Sequence, residues 1–94
     1  MSTSIHDFHE NVRNITVQIW INGRLVPRAE ATVSVFDSGF VLGDGVWEGF
    51  RVVSGKPVFL DAHLERLFEG AKAIALDIGL SKAELRRAID DTLK

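Results

Sequence analysis

The chain has 94 residues, 46% of them hydrophobic and 26% charged, a size and balance that fit one globular domain and leave no room for two of ordinary size. Its net charge of −2 arises from 11 basic and 13 acidic residues mixed along the sequence, so no basic face for nucleic acid or an anionic membrane is expected. The absence of cysteine excludes a disulfide framework and a thiolate metal site. No apolar run approaches the roughly 20 residues of a membrane span, and a cytoplasmic protein is the default expectation.

Residues 1–16, "MSTSIHDFHENVRNIT", have no clean period and lack the apolar core of a signal peptide, so they read as a loose leader to a domain over residues 17–94. His6, Asp7 and His9 lie in this leader, show no metal-ligand spacing and read as solvated. "VQIWINGRLV" then alternates apolar and polar residues around Asn22 and Gly23, the pair best suited to a two-residue hairpin turn because both tolerate positive φ. "PRAEA" interrupts the pattern, and "TVSVF" predicts a further strand with Val33 and Val35 on one face. "WEGFRVV" and "PVFL" predict two more strands joined by the turn "SGKP".

The period then changes. Leu64, Leu67, Phe68, Ala71, Ile74 and Ala75 recur at helical spacing and predict a helix over residues 62–76, with Asp61 as N-cap and Gly79 as the stop signal. "SKAE" matches a capping box and opens a second helix whose apolar face is Leu85, Ala88, Ile89 and Leu93. This helix is still within its periodic pattern at Lys94, as expected of a domain that continues past that residue. Strands first and helices after predict an α+β fold, with two helices on one face of a mostly antiparallel sheet.

Chemistry concentrates in "FDSGFVLGDGVWEGFR", which holds Gly39, Gly43, Gly45 and Gly49, four of the chain's 8 glycines. In an extended strand Trp47, Gly49 and Arg51 share one face, and the glycine leaves a notch between a large ring and a cation. That arrangement suits either the wall of a pocket for a small anionic or planar ligand or a plain cation–π pair. Glu48 falls on the opposite face among Val46, Phe50 and Val52, where a carboxylate needs a partner. His63 and Arg66 are the chemically suitable candidates, and the three side chains are expected to form one network.

His63, Arg66 and Gly70 share a stripe of the first helix. A glycine within a helix costs about 1 kcal/mol against alanine, so either a close-packed neighbour or a ligand is expected beside Gly70. Arg66 presents a rigid fork of donors suited to phosphate or carboxylate, yet Glu69 is also within reach as a partner, and spacing does not decide between them. "GDG" lacks the glycine spacing and the lysine of a P-loop, and no nucleophile elbow supports a Ser–His–Asp reading.

Taken together and in order, "WINGRLVP", "VSVFDSGFVLGDGVWEGFRVVSGKPVFL" and "DAHLERLFEGAKAIAL" resemble the class IV pyridoxal-phosphate-dependent aminotransferases, which include branched-chain and D-amino-acid aminotransferases and aminodeoxychorismate lyases. The resemblance implies the N-terminal small domain of a two-domain fold type IV enzyme, working as a homodimer on an amino acid and a 2-oxo acid. Within it Arg66 matches the arginine that binds the phosphate of pyridoxal 5'-phosphate. Trp47, Gly49 and Arg51 match the strand lining the substrate pocket, with Trp47 where the family more often has Phe or Tyr. Glu48 and His63 match positions that, in the D-amino-acid branch, form a supporting network with the phosphate arginine.

The resemblance also implies that the catalytic Schiff-base lysine lies beyond residue 94, in the larger domain. Lys56, Lys72, Lys82 and Lys94 do not occupy its position, so this chain alone is not expected to transaminate. A lyase of the same family and a stand-alone, non-catalytic module of the same fold are the alternative readings.

Overall fold

The structure is a computed structural model that describes residues 15–94. The expectations for residues 1–14, including the solvated reading of His6, Asp7 and His9, lie outside the described residues. The chain divides into two compact units, Met1–Thr32 and Val33–Lys94.

In the first unit, strands β1 (Gln18–Ile21) and β2 (Arg24–Pro27) pair antiparallel, with Ile19 opposite Val26 and Ile21 opposite Arg24. Asn22 and Gly23 make the turn with φ of 50° and 93°, the left-handed pair that matches the twist of a tight hairpin. The alternation in the sequence is thus realised as predicted. Val26 is the buried residue of this hairpin, and a single 3-10 turn (Arg28–Glu30) follows it.

The second unit begins with a correction. Residues 32–36 form no strand, and Val33 and Val35 are exposed. Ser34 diverts the backbone: its Oγ accepts from Phe36 N at 3.0 Å and its carbonyl accepts from Asp37 N at 3.0 Å. Serine competes well for neighbouring backbone donors, and here these bonds make a turn instead of a ladder. Asp37 then caps a short helix, α1 (Ser38–Leu42), by accepting from Gly39 N at 2.8 Å. Gly43 ends that helix in the left-handed region at φ 73°. The glycine-rich segment thus contains one short helix.

The next hairpin is shorter than predicted. Only β3 (Val52–Val53) and β4 (Lys56–Pro57) pair, with Val58 N donating to Arg51 O at 2.8 Å just beyond them. Among the described residues the sheet structure is therefore two separate two-stranded antiparallel hairpins.

Helix α2 (Leu60–Ala73) starts and stops differently from the expectation. Asp61 lies inside its first turn, and the N-cap position is Phe59, in the left-handed region at φ 55° with no side-chain capping bond. At the other end Leu76 N bonds to Ala71 O at 2.8 Å and Ala75 N to Lys72 O at 3.1 Å, with Ala75 at φ 55°. This is a Schellman motif, and it stops the helix before Gly79 is reached. Helix α3 (Lys82–Thr92) opens with the expected capping box: Glu84 N donates to Ser81 Oγ at 3.1 Å and Ser81 N to Glu84 Oε1 at 3.0 Å. Glu84 is held below the ordinary carboxylate range, chiefly by that Ser81 backbone N–H.

Leu60, Leu64 and Ala71 of α2 and Ala88 of α3 are the buried residues of this unit, and the Arg86–Asp61 ion pair joins the two helices. The predicted face at Leu64, Leu67, Phe68 and Ala71 turns inward, whereas Ile74 is exposed because the helix has already ended. The architecture is α+β, as expected of a class IV N-terminal small domain, with one more short helix and less sheet than predicted. No helix among the described residues is long and apolar enough to cross a membrane.

Candidate active site wall

The site is built from residues 46–51, which make no ladder but keep the exposure pattern of an extended strand. Val46, Glu48 and Phe50 are half-buried, and Trp47, Gly49 and Arg51 are exposed. The inward set faces α2. A Cβ built on Gly70 would lie 3.5 Å from Val46 Cγ1, an ordinary contact, so this helical glycine has a neighbour but not one that excludes a methyl group. Val52, expected to continue the inward face, is exposed because the chain turns into β3.

Glu48 is the centre of the cluster. Its Oε1 lies 2.6 Å from His63 Nδ1, and its Oε2 accepts from Arg66 Nη2 at 3.2 Å. His63 and Arg66 stand one helical turn apart on α2, so a single carboxylate reaches both with its two oxygens. The carboxylate and imidazole are 15% and 21% exposed, against 69% for Arg66. The hydrogen bond from His63, with the Arg66 charge beside it, holds the Glu48 carboxyl below its ordinary range against the opposing effect of desolvation. With Glu48 ionised, Nδ1 carries the hydrogen and donates, which leaves Nε2 as an acceptor in the neutral ring. The Phe50 ring packs beside the imidazole, with centroids 5.9 Å apart and planes tilted by 45°.

Arg66 therefore pairs with Glu48 across the fold, where spacing alone had also allowed Glu69. The pairing ties one nitrogen of the guanidinium to Glu48 and leaves most of the side chain exposed. A guanidinium has five N–H donors, so an Arg66 held at Nη2 retains donors for an anion at its exposed end.

Beside the cluster is an open pocket of about 530 Å³, lined by Gly49, Phe50, Arg51, Val58, Phe59 and His63. Of the predicted pocket residues, Gly49 and Arg51 line it. Trp47 does not: it is 83% exposed, and its Cζ3 lies 3.4 Å from where a Gly49 Cβ would be, so the ring folds over the notch that the glycine was expected to leave open. Sequence reasoning missed Phe59 and Val58, which sit in a segment read as a plain strand. Nothing in the residue types signals that the chain bends there.

A model of the Amino-transferase class IV family matches residues 45–94. The chain is 45% identical over 80 residues to branched-chain-amino-acid aminotransferase-like protein 1 of Arabidopsis thaliana, covering 85% of this chain and 14% of that protein. It is 41% identical over 76 residues to the aminodeoxychorismate lyase of Bacillus subtilis, covering 81% of this chain and 26% of the lyase. To the D-alanine aminotransferase of Bacillus licheniformis it is 37% identical over 75 residues, covering 80% of this chain and 26% of that enzyme. The chain thus spans about a quarter or less of the length of these curated relatives. The matched region contains Glu48, His63 and Arg66 together with the pocket beside them, and on these likenesses the chain belongs to the class IV aminotransferases.

Proposed function

We propose that the chain is the N-terminal part of a pyridoxal 5'-phosphate-dependent enzyme that moves an amino group between an amino acid and a 2-oxo acid, with residues 17–94 as its small domain. The observation that carries this reading is the Glu48 carboxylate held between His63 and Arg66. It turns a flexible surface arginine into a fixed cation with an exposed end, the feature that a phosphate ester needs. The donor set fits the cofactor to this extent: Arg66 would hold the phosphate, and Glu48 and His63 would keep Arg66 aimed.

Pyridoxal phosphate, when bound, supplies the electron sink for bond breaking at the substrate Cα. The residues of this chain bind and orient. Arg51 offers a cation at the pocket for a substrate carboxylate, Gly49 exposes backbone to it, and the rings of Phe50 and Phe59 make its apolar boundary. Trp47, folded over Gly49, narrows the approach. The lysine that carries the cofactor is proposed to come from outside these 94 residues, so that this chain alone does not transaminate. Homodimerisation of the full-length enzyme and a cytoplasmic location belong to the same reading. The exposed side chains of Phe36, Phe40 and Leu42 support the first.

A lyase acting on aminodeoxychorismate is the second reading, favoured by the 41% identity to the Bacillus subtilis enzyme. The test is the full-length protein, purified and scanned for the absorbance of bound cofactor. It is then assayed for amino transfer from L-leucine and from D-alanine to 2-oxoglutarate, and for pyruvate release from aminodeoxychorismate. Cofactor absorbance with transfer supports the first reading, and pyruvate release without transfer selects the second. A protein with neither overturns both.

A further inference from the structure

Phe59 occupies the corner between β4 and α2, where one residue must turn an extended chain into a helix. Val58 still bonds to Arg51, and Leu60 is already the first helical residue. The corner is made at φ 55°, a region that glycine enters freely and that is a genuine outlier for a bulky side chain. Asn22 at φ 50° is a residue that tolerates this region. Phenylalanine is not, and strain of this kind costs on the order of 1 to 3 kcal/mol.

Packing against the described residues does not account for the ring. Phe59 is 78% exposed, and its position makes no side-chain capping bond to α2. What the conformation does achieve is placement: Phe59 lines the pocket together with Phe50, Arg51 and His63. A bare aromatic surface at the edge of a pocket with one cation is suited to a ligand that is anionic at one end and apolar at the other. The ring would be covered when such a ligand is bound.

We infer that Phe59 is a specificity-determining residue, held in a strained conformation so that its ring receives the apolar side chain of the amino acid or 2-oxo acid. This rests on the proposed function of the site and adds to it the residue that measures the size and polarity of the substrate side chain. Strain and selectivity are then coupled: removing the side chain relaxes the backbone and removes the discrimination.

The test compares wild-type full-length enzyme with Phe59→Gly, Phe59→Ala and Phe59→Tyr, reading Tm together with kcat/KM for the 2-oxo acids of leucine and alanine. Phe59→Gly is expected to raise Tm, since it fits the observed φ. Both Phe59→Gly and Phe59→Ala are expected to lower the preference for the larger substrate by roughly tenfold, the scale on which apolar pockets discriminate. Phe59→Tyr is expected to keep it. A preference unchanged within about twofold in Phe59→Gly and Phe59→Ala, in an enzyme that transfers amino groups normally, overturns the inference alone. A wild-type protein with no amino transfer overturns the function on which it rests, and this inference with it.

Discussion

Glu48 and His63 are 15 residues apart in the chain, and their side chains meet at 2.6 Å. The contact joins an extended segment to a helix through a half-buried carboxylate, and the second oxygen of the same carboxylate bonds to Arg66 at 3.2 Å. A residue that bridges two partners in this way restricts both, because moving either breaks the shared acceptor.

Replacement of that acceptor is expected to loosen Arg66 without unfolding the chain. On the proposed reading, Glu48→Gln and Arg66→Ala in the full-length enzyme both weaken cofactor retention. Arg66→Ala has the larger effect, at least tenfold, since a charge-assisted contact of about 1.5 to 3 kcal/mol is lost outright. Equilibrium dialysis of the cofactor measures it. A variant that holds cofactor normally but melts earlier would assign Arg66 to the fold.

The pH dependence of stability has a defined sign. Glu48 is held below its ordinary value, so the folded state takes up its proton less readily than the unfolded state does. Its contribution is complete above the unfolded value of about 4.3 and is lost as pH falls through the lower folded value. The Tm difference between wild type and Glu48→Gln is therefore expected to shrink on acidification below that point. Glu84 is shifted in the same direction in the capping box, so both proteins lose that contribution alike and the difference isolates Glu48.

Ala75 ends α2 at φ 55°, where its Cβ is unfavourable. Ala75→Gly is expected to stabilise the fold by about 1 kcal/mol, read as a rise in Tm, because the Schellman motif is kept and the strain is removed.

Gly70→Ala is expected to be tolerated. The new methyl group meets Val46 Cγ1 at an ordinary 3.5 Å, and alanine gains about 1 kcal/mol of helix propensity. Higher Tm with unchanged cofactor binding is the expected outcome. Lost cofactor binding would mean that the space above Gly70 belongs to the ligand.

Ser81→Ala removes the hydroxyl that accepts from Glu84 N at 3.1 Å. Loss of an N-cap of this kind costs about 1 kcal/mol, and thermal melting measures it.

Local patterns alone determined the Asn22-Gly23 hairpin, the Ser81–Glu84 capping box, the inward stripe of α2 and the alternation from Val46 to Arg51. Each is a short-range preference satisfied by neighbours within a few residues, which is why it is legible in the residue order. The resemblance of the ordered segments identified the family, and the pairing of Glu48 with His63 and Arg66 followed from the need of an inward carboxylate for a partner.

Tertiary structure decided the rest. Ser34 drew backbone donors away from a strand that Val33 and Val35 had favoured, and Ala75 stopped α2 where the pattern pointed to Gly79. Arg66 chose Glu48 over Glu69, and Trp47 closed the notch beside Gly49. Phe59 entered a conformation that no propensity favours for it. In each case the outcome depended on which groups the fold brought within a few ångströms, and the spacing of residues along the chain does not contain that information.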